Sequence, residues 1–305
     1  MRCFLEKGAM VALLAIVVSG CGGDGDNAAQ DGRFTVVTTI YPLLYFTERI
    51  SGTGADTNAH ALIGSGVEAH TFEPTPGDMR LLASADLIVA NGLNLEPWLG
   101  RALVALGERS AVVVEVAAVE GARQQVGEAF RWDPHLWLDP VLASAQVERL
   151  RDALVAANPG ATAYVSNAAD LLDALAALDA AYSSRLADCP LRHFVTTHAA
   201  YGYIAHRYGL EQISIAGLTP ESEPSPRDLA DLAEQVRDLG LTHVLVEPSL
   251  SSRVAETLAA ETNLTLLPIH QLESVTPDEL ADHGDYLGLM RANLDSLTIA
   301  LGCAA

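Results

Sequence analysis

Positive charge is scarce in this sequence, which has 18 Lys and Arg against 39 Asp and Glu and a formal net charge of -21 over 305 residues. The shortage argues against a nucleic acid partner, because phosphate binding depends on clustered Lys and Arg. A cationic ligand suits the excess of acid better. An acidic surface that only keeps the protein soluble explains the same excess, so charge alone assigns no ligand.

Long apolar runs are missing beyond the N-terminus, although 50% of the residues are hydrophobic. Polar residues interrupt the segments rich in alanine and leucine, so no internal membrane span is expected. The sequence also lacks an HExxH motif and a Ser-His-Asp order, and no general base accompanies its histidines. These absences argue against an enzyme and favour a binding protein.

The N-terminus has the features of an export signal. Arg2 and Lys7 precede an apolar stretch at 10–18, which is too short to span a bilayer but has the length of a signal peptide core. Residues 18–21 (Val-Ser-Gly-Cys) resemble the bacterial lipobox, which implies a signal peptide at 1–20 and acylation of Cys21. Residues 21–33 then form a polar, flexible tether. A plain secretory signal is the alternative.

Four cysteines are present, and two of them are accounted for by the export signal. Cys3 would be removed with the signal peptide, and Cys21 would carry the lipid. Cys189 and Cys303 are left in an oxidising compartment, where a disulfide is the expected state. Their wide separation argues against a thioredoxin-like or zinc-ribbon motif.

The chain is about twice the length of a typical domain, which favours two lobes. Short β-rich runs alternate with helical segments in both halves, and strands separated by helices predict parallel βα units. In the first half, strands are predicted at 34–39, 62–64, 86–90 and 111–116. In the second half, they are predicted at 193–197, 212–215, 243–247 and 264–269. The predicted fold class is therefore α/β, with two similar lobes.

One long helix is predicted between the two halves. Asn158, Pro159 and Gly160 break the preceding segment, and residues 161–187 then carry leucines at helical spacing with few β-branched residues. At ~1.5 Å per residue this helix would extend ~40 Å and join both lobes, whereas two shorter helices are the alternative. The predicted organisation is an N-terminal lobe at 34–158, a linking helix at 159–189 and a C-terminal lobe at 190–305.

Three of the nine histidines lie where a ligand is expected. Open α/β sheets bind ligands beyond the carboxyl ends of their strands, which in a two-lobed protein is the cleft between the lobes. His70 lies in a Gly-rich loop, His198 follows the predicted strand at 193–197, and His135 lies in a proline-framed turn. Three imidazoles and one carboxylate complete a tetrahedral zinc shell. On residue types alone, structural histidines are the alternative.

Five segments together resemble the extracytoplasmic receptors of ABC importers for zinc and manganese. They are 66–76 (Gly-Val-Glu-Ala-His-Thr-Phe-Glu-Pro-Thr-Pro), 133–140 (Asp-Pro-His-Leu-Trp-Leu-Asp-Pro), 197–203 (Thr-His-Ala-Ala-Tyr-Gly-Tyr), 221–225 (Glu-Ser-Glu-Pro-Ser) and 272–274 (Leu-Glu-Ser). The resemblance covers nearly the whole mature chain. It implies a rigid receptor whose two α/β lobes, with parallel sheets flanked by helices, are joined by one long helix and bind a metal in the cleft between them.

The same resemblance implies four metal ligands. The first three segments each supply one histidine, which corresponds to His70, His135 and His198. The fourth ligand is an acid late in the second lobe, and Glu273 matches it. The proline expected before the Leu-Glu pair is missing here, so His270 is a rival for the fourth position.

Other acidic residues in these segments have alternative interpretations. Glu68 could approach the metal from the loop of His70, or it could be a solvated loop acid. Glu221 and Glu223 resemble a loop near the cleft, or they precede and cap the next helix. Asp139 is predicted to orient a ligand imidazole.

The predicted function is capture of zinc outside the cytoplasm for delivery to an ABC permease and its ATPase. The receptor would be a monomer, anchored to the cell membrane through its N-terminal lipid. A manganese or iron receptor on the same scaffold is one alternative, and a metal-dependent hydrolase or a metal-binding adhesin is another. The stretch between His70 and His135 lacks the His- and Asp-rich loop of many zinc receptors in the family, which counts against zinc.

Overall fold

The computed structural model describes residues 32–52, 57–107, 111–122, 132–218, 224–248 and 252–304. The predicted signal peptide, Cys21 and most of the tether lie outside these residues. Among the helices in the described ranges, none combines the length and apolar character needed to cross a bilayer.

The first lobe is built on a parallel sheet of four strands. They are β1 (Phe34–Thr38), β2 (Thr57–Ala61), β3 (Leu87–Ala90) and β4 (Val112–Glu115), arranged in the order β2-β1-β3-β4. The connecting helices are α1 (Tyr41–Ser51), α2 (Pro76–Ser84) and α3 (Leu99–Leu106). Strand β3 is buried at every residue and has the sequence Leu-Ile-Val-Ala, which is typical of a parallel strand covered on both faces.

Two helices lead from the first lobe to the second. A short 3₁₀ helix at Leu136–Leu138 precedes α4 (Pro140–Ala157), and α5 (Tyr164–Leu186) follows as a single helix of 23 residues. At ~1.5 Å per residue, α5 extends about 35 Å. Its buried residues recur every three or four positions, as Tyr164, Ala168, Leu171, Leu175, Leu178, Tyr182 and Leu186. This stripe lets one face of α5 pack against both lobes.

The second lobe repeats the strand order of the first. Its strands are β5 (His193–Thr196), β6 (Glu211–Ser214), β7 (His243–Val246) and β8 (Thr265–Pro268), arranged as β6-β5-β7-β8 and all parallel. The helices are α6 (Gly202–Arg207), α7 (Pro226–Asp238), α8 (Arg253–Thr262), α9 (Pro277–His283) and α10 (Tyr286–Ala300). Helix α5 contacts α1 of the first lobe and α10 of the second. The predicted fold class is therefore confirmed.

One predicted strand is wrong. The second strand of the first lobe is Thr57–Ala61, not residues 62–64. Leu62 and Ile63 come just after it and are buried, and their backbone N–H groups donate to the carbonyl oxygens of Thr38 and Thr39 at 2.8 and 3.1 Å. The strand itself lies at the edge of the sheet and is half-buried, so its sequence Thr-Asn-Ala-His-Ala lacks the apolar pattern that identifies a central strand.

The predicted disulfide is confirmed. Cys189 lies just beyond the end of α5, and it is bonded to Cys303, which follows α10. The bond therefore closes a loop with a sequence separation of 114 residues that contains the strands and helices of the second lobe.

Candidate metal centre

His135 is oriented by the carboxylate of Asp133. One oxygen of Asp133, Oδ1, accepts hydrogen bonds from the backbone N–H of His135 at 3.0 Å and from its ring Nδ1 at 2.7 Å. The other ring nitrogen, Nε2, is therefore the one available to a ligand. The 3₁₀ helix at Leu136–Leu138 is entirely buried and anchors His135 from its C-terminal side.

His198 is oriented in the same way by Glu247. The two residues follow β5 and β7, which are neighbours in the sheet, so both side chains emerge at the same edge. Ring Nδ1 of His198 lies 2.9 Å from each carboxylate oxygen of Glu247, and both side chains are fully buried. Nε2 of His198 is also buried, with no hydrogen-bond partner among the residues described.

The other two predicted ligands lie on loops. Glu273 comes from the segment between β8 and α9, where Leu272 adopts a left-handed backbone conformation with φ 65°. The carbonyl oxygen of Glu273 accepts a hydrogen bond from the backbone N–H of Tyr41 at 3.0 Å, which ties this segment to the first lobe. His70 lies in the loop between β2 and α2, and its backbone N–H donates to Oε1 of Glu68 at 3.1 Å.

The structure brings the four side chains together between the lobes. His70, His135, His198 and Glu273 each offer one ligand atom, and these atoms all lie within 4.8 Å of one another. Nε2 of His70 and Nε2 of His135 are 3.3 Å apart, and they lie 3.4 and 3.2 Å from Oε1 of Glu273. A tetrahedron with bonds of about 2.0–2.1 Å has edges of about 3.3–3.4 Å, so the separations among His70, His135 and Glu273 suit three corners of a zinc site.

Burial of these four side chains is energetically unfavourable unless a cation binds to them. His135, His198 and Glu273 have no exposed surface, and His70 is 7% exposed. Both carboxylate oxygens of Glu273 lack a hydrogen-bond partner among the described residues. A buried carboxylate without hydrogen bonds is strongly unfavourable, whereas a cation at the centre of the cluster would neutralise it.

Electrostatic effects within the cluster also favour a cation. Burial alone raises the pKa of Glu273, but the neighbouring His70 and His135 lower it well below its usual range. Burial alone lowers the pKa of His135, whereas the hydrogen bond to Asp133 and the negative charges of Asp133 and Glu273 raise it to about 10. Positive charge is thus stabilised at this position, and a divalent ion bound there would displace the proton.

Comparison with known proteins identifies the family. The model of the family ZnuA, described as "Zinc-uptake complex component A periplasmic", matches residues 36–300. The chain belongs to the ZnuA family. The predicted resemblance to metal receptors of ABC importers is therefore confirmed.

Relatives in the ZnuA family include proteins named for zinc. The zinc-binding protein AdcA of Streptococcus pyogenes serotype M6 is 32% identical over 317 residues, which cover 97% of this chain and 61% of AdcA. The chain thus spans about three fifths of the length of that relative. The high-affinity zinc uptake system protein ZnuA of Bacillus subtilis is 32% identical over 308 residues, with 96% of each chain covered.

A solved structure supports the same grouping. The crystal structure of the Zn(II)-bound ZnuA-like domain of Streptococcus pneumoniae AdcA aligns with a TM-score of 0.77 and 34% sequence identity. The alignment covers 88% of this chain and 99% of that domain. The two-lobed architecture is therefore that of the ZnuA family.

The remaining candidate residues lie apart from the cluster or outside the described ranges. Ring Nδ1 of His270 is bonded to Oε1 of Glu279 at 2.7 Å, and His270 is not part of the four-residue group. Glu68 is half-buried and holds the backbone of His70, so it is neither a solvated loop acid nor part of the cluster. Glu221 and Glu223 lie outside the described residues.

The role predicted for Asp139 is wrong. Its carboxylate accepts hydrogen bonds from the backbone N–H groups of Val141 and Leu142 and so caps α4. Both of its oxygens are also bonded to Nε of Arg207, at 2.5 and 2.6 Å. Asp139 therefore stabilises a helix end and a contact between lobes, and it orients no ligand imidazole.

Asp133 and Glu247 perform the role that was predicted for Asp139. Asp133 lies only two residues before His135, so its proximity in sequence could have indicated the contact. Glu247 is 49 residues from His198, and the two meet only because β5 and β7 are adjacent in the sheet. The strand order is not encoded in a local pattern, so sequence reasoning had no signal for Glu247.

Proposed function

We propose that this chain is an extracytoplasmic receptor that captures Zn²⁺ and delivers it to an ABC permease and its ATPase. The observation that carries the proposal is the buried group of His70, His135, His198 and Glu273, whose ligand atoms all lie within 4.8 Å of one another. Three of these atoms have the 3.2–3.4 Å separations of a zinc tetrahedron. Zinc is the cargo in this proposal. The names of the relatives in Streptococcus and Bacillus support the same assignment.

The composition of the site supports zinc over manganese. Three imidazole nitrogens and one carboxylate suit zinc, whereas manganese prefers more oxygen ligands and a higher coordination number. The other nearby carboxylates, Asp133 and Glu247, are already bonded to imidazole nitrogens. Glu273 is therefore the oxygen donor of the site, and a bidentate Glu273 would be the manganese alternative.

A receptor is favoured over a zinc hydrolase by the number of protein ligands. Catalytic zinc is usually held by three protein side chains and keeps one position for water. Here a fourth side chain, Glu273, occupies that position and is fully buried. Such a closed shell suits binding and transfer of the ion.

The delivery step and the membrane anchor are also part of the proposal. The family description, a periplasmic component of a zinc-uptake complex, supports a role outside the cytoplasm with transport partners. Acylation of Cys21 would hold the receptor at the membrane as a monomer. The name "zinc-binding lipoprotein" of the AdcA of Streptococcus pneumoniae supports such an anchor.

The test is a competition titration of the metal-free full chain with a chromophoric zinc chelator. His135→Ala and His198→Ala should each weaken zinc binding by more than about 100-fold, because even changes to groups that orient a ligand cost about 10–100-fold. His206→Ala, which changes an exposed histidine outside the cluster, is the control and should bind as the unaltered chain does.

Two results would overturn the assignment. If His206→Ala and His198→Ala lowered the zinc affinity equally, the four-residue group would not be the binding site. Manganese that displaces an equimolar amount of zinc at neutral pH would make manganese the cargo instead.

A further inference from the structure

A second pair of histidines lies outside the metal centre. His270 is in the segment between β8 and α9, and His283 is the last residue of α9. Their ring centroids are 5.0 Å apart with an interplanar angle of 64°. At the metal centre, the rings of His135 and His198 are 5.4 Å apart at 66°, which is nearly the same arrangement.

A carboxylate orients one ring of this pair, as at the metal centre. Ring Nδ1 of His270 is 2.7 Å from Oε1 of Glu279. The other oxygen of Glu279 accepts hydrogen bonds from the backbone N–H and the hydroxyl of Thr276, at 2.9 and 2.8 Å. Both carboxylate oxygens of Glu279 are thus hydrogen-bonded. Because Nδ1 of His270 is bonded to Glu279, Nε2 is the ring nitrogen available to a ligand.

The nitrogens of the pair are available to an ion. Within the described residues, neither Nε2 of His270 nor the ring nitrogens of His283 have a hydrogen-bond partner. His270 is buried, but His283 is half-exposed, so an ion could reach the pair from solvent and keep water in its shell.

We propose that His270 and His283 form a second site for Zn²⁺, with Glu279 as the residue that positions His270. Two imidazole ligands with water completing the shell suit zinc and its nitrogen-preferring neighbours. Since only two protein ligands are present, this site is weaker than the four-ligand centre. It does not rest on the function proposed for that centre, because it shares no ligand with it.

The test is calorimetric titration of ZnCl₂ into the metal-free full chain at neutral pH. We expect a tight first equivalent and a second equivalent at least about 100-fold weaker, since the second ion gains two fewer protein ligands. His283→Asn should abolish the second equivalent and leave the first unchanged. The retained first equivalent would also report that the variant is folded.

The matched control is His193→Asn. His193 also has a carboxylate partner, Oε2 of Glu211 at 3.1 Å, but no described histidine ring is paired with it. This variant should keep both equivalents. The inference is wrong if only one equivalent binds, if the second survives in His283→Asn, or if His193→Asn loses it as well. If His283→Asn instead lost only the first, tight equivalent, that result would refute the four-ligand centre.

Discussion

At the scale of single residues, the candidate centre depends on carboxylates that do not belong to the ligand set. Asp133 and Glu247 each bond ring Nδ1 of a histidine and leave Nε2 directed at the site. Such a bond fixes the tautomer and rotation of the imidazole before the ion arrives. The metal-free site is thereby preorganised, and little ordering entropy is lost on binding.

We expect Glu247→Gln to lower the affinity for zinc by about 10–100-fold, because the amide removes the charge that polarises His198 and weakens the orienting hydrogen bond. The measurement is competition against a chelator of known zinc affinity. Glu211→Gln is the control, since Glu211 is exposed and bonds the half-buried His193 away from the site. Unchanged affinity in Glu247→Gln would contradict the orienting role.

At the scale of single elements, three helices begin with a complete capping box and a proline in the first turn. In α2 the pair is Thr75 and Asp78, in α7 it is Ser225 and Asp228, and in α9 it is Thr276 and Glu279. In each box the hydroxyl accepts from the third helical N–H while the carboxylate accepts from the cap N–H. Each box fixes the residue at which the preceding loop ends and the helix begins.

For α7, we predict that Ser225→Ala lowers the free energy of unfolding by about 1 kcal/mol, because one N–H at the helix start loses its acceptor. Chemical denaturation of the full chain measures the change. Thr257→Ala, at an exposed position inside α8, should change the free energy by less than about 0.5 kcal/mol. A loss in Ser225→Ala no larger than this control would show that the cap is not stabilising.

Elements with a strong local signal could be predicted from the sequence, and those that depend on distant partners could not. The spacing of leucines such as Leu171 and Leu178 predicts α5. The sequence prediction misplaces strand β2, because an edge strand needs no alternation of apolar and polar residues. The three candidate histidine ligands were predicted from motifs. The contact of Glu247 with His198 depends on the order of the strands, which is set by packing of the whole sheet.

At the scale of the whole molecule, contacts between the lobes surround the candidate centre. The indole N–H of Trp137 donates to the carbonyl oxygen of Gln271 at 2.7 Å, and the hydroxyl of Tyr203 donates to the carbonyl oxygen of Asp133 at 2.8 Å. Helix α5 packs against both lobes as well. These contacts oppose a wide hinge motion, so small loop movements are the expected route for loading and release.

The disulfide should contribute to stability without contributing to the metal site. Replacing both Cys189 and Cys303 by alanine should lower the free energy of unfolding by up to about 4–5 kcal/mol, because the bond restricts a long loop in the unfolded chain. Denaturant unfolding of the double variant measures this loss, and zinc stoichiometry should not change. An unfolding midpoint equal to that of the oxidised parent chain would contradict the prediction.

The loop that carries His70 has a consequence for the timing of metal exchange. Residues 64–67 before it are all exposed, whereas Glu273 and His135 lie on segments bonded to the opposite lobe. Dissociation of an ion from the proposed site should therefore begin with outward movement of His70 while His135 and Glu273 stay in place. The off-rate then depends on the stiffness of one short segment, whereas the equilibrium affinity depends on all four ligands, so residence time and affinity can change independently.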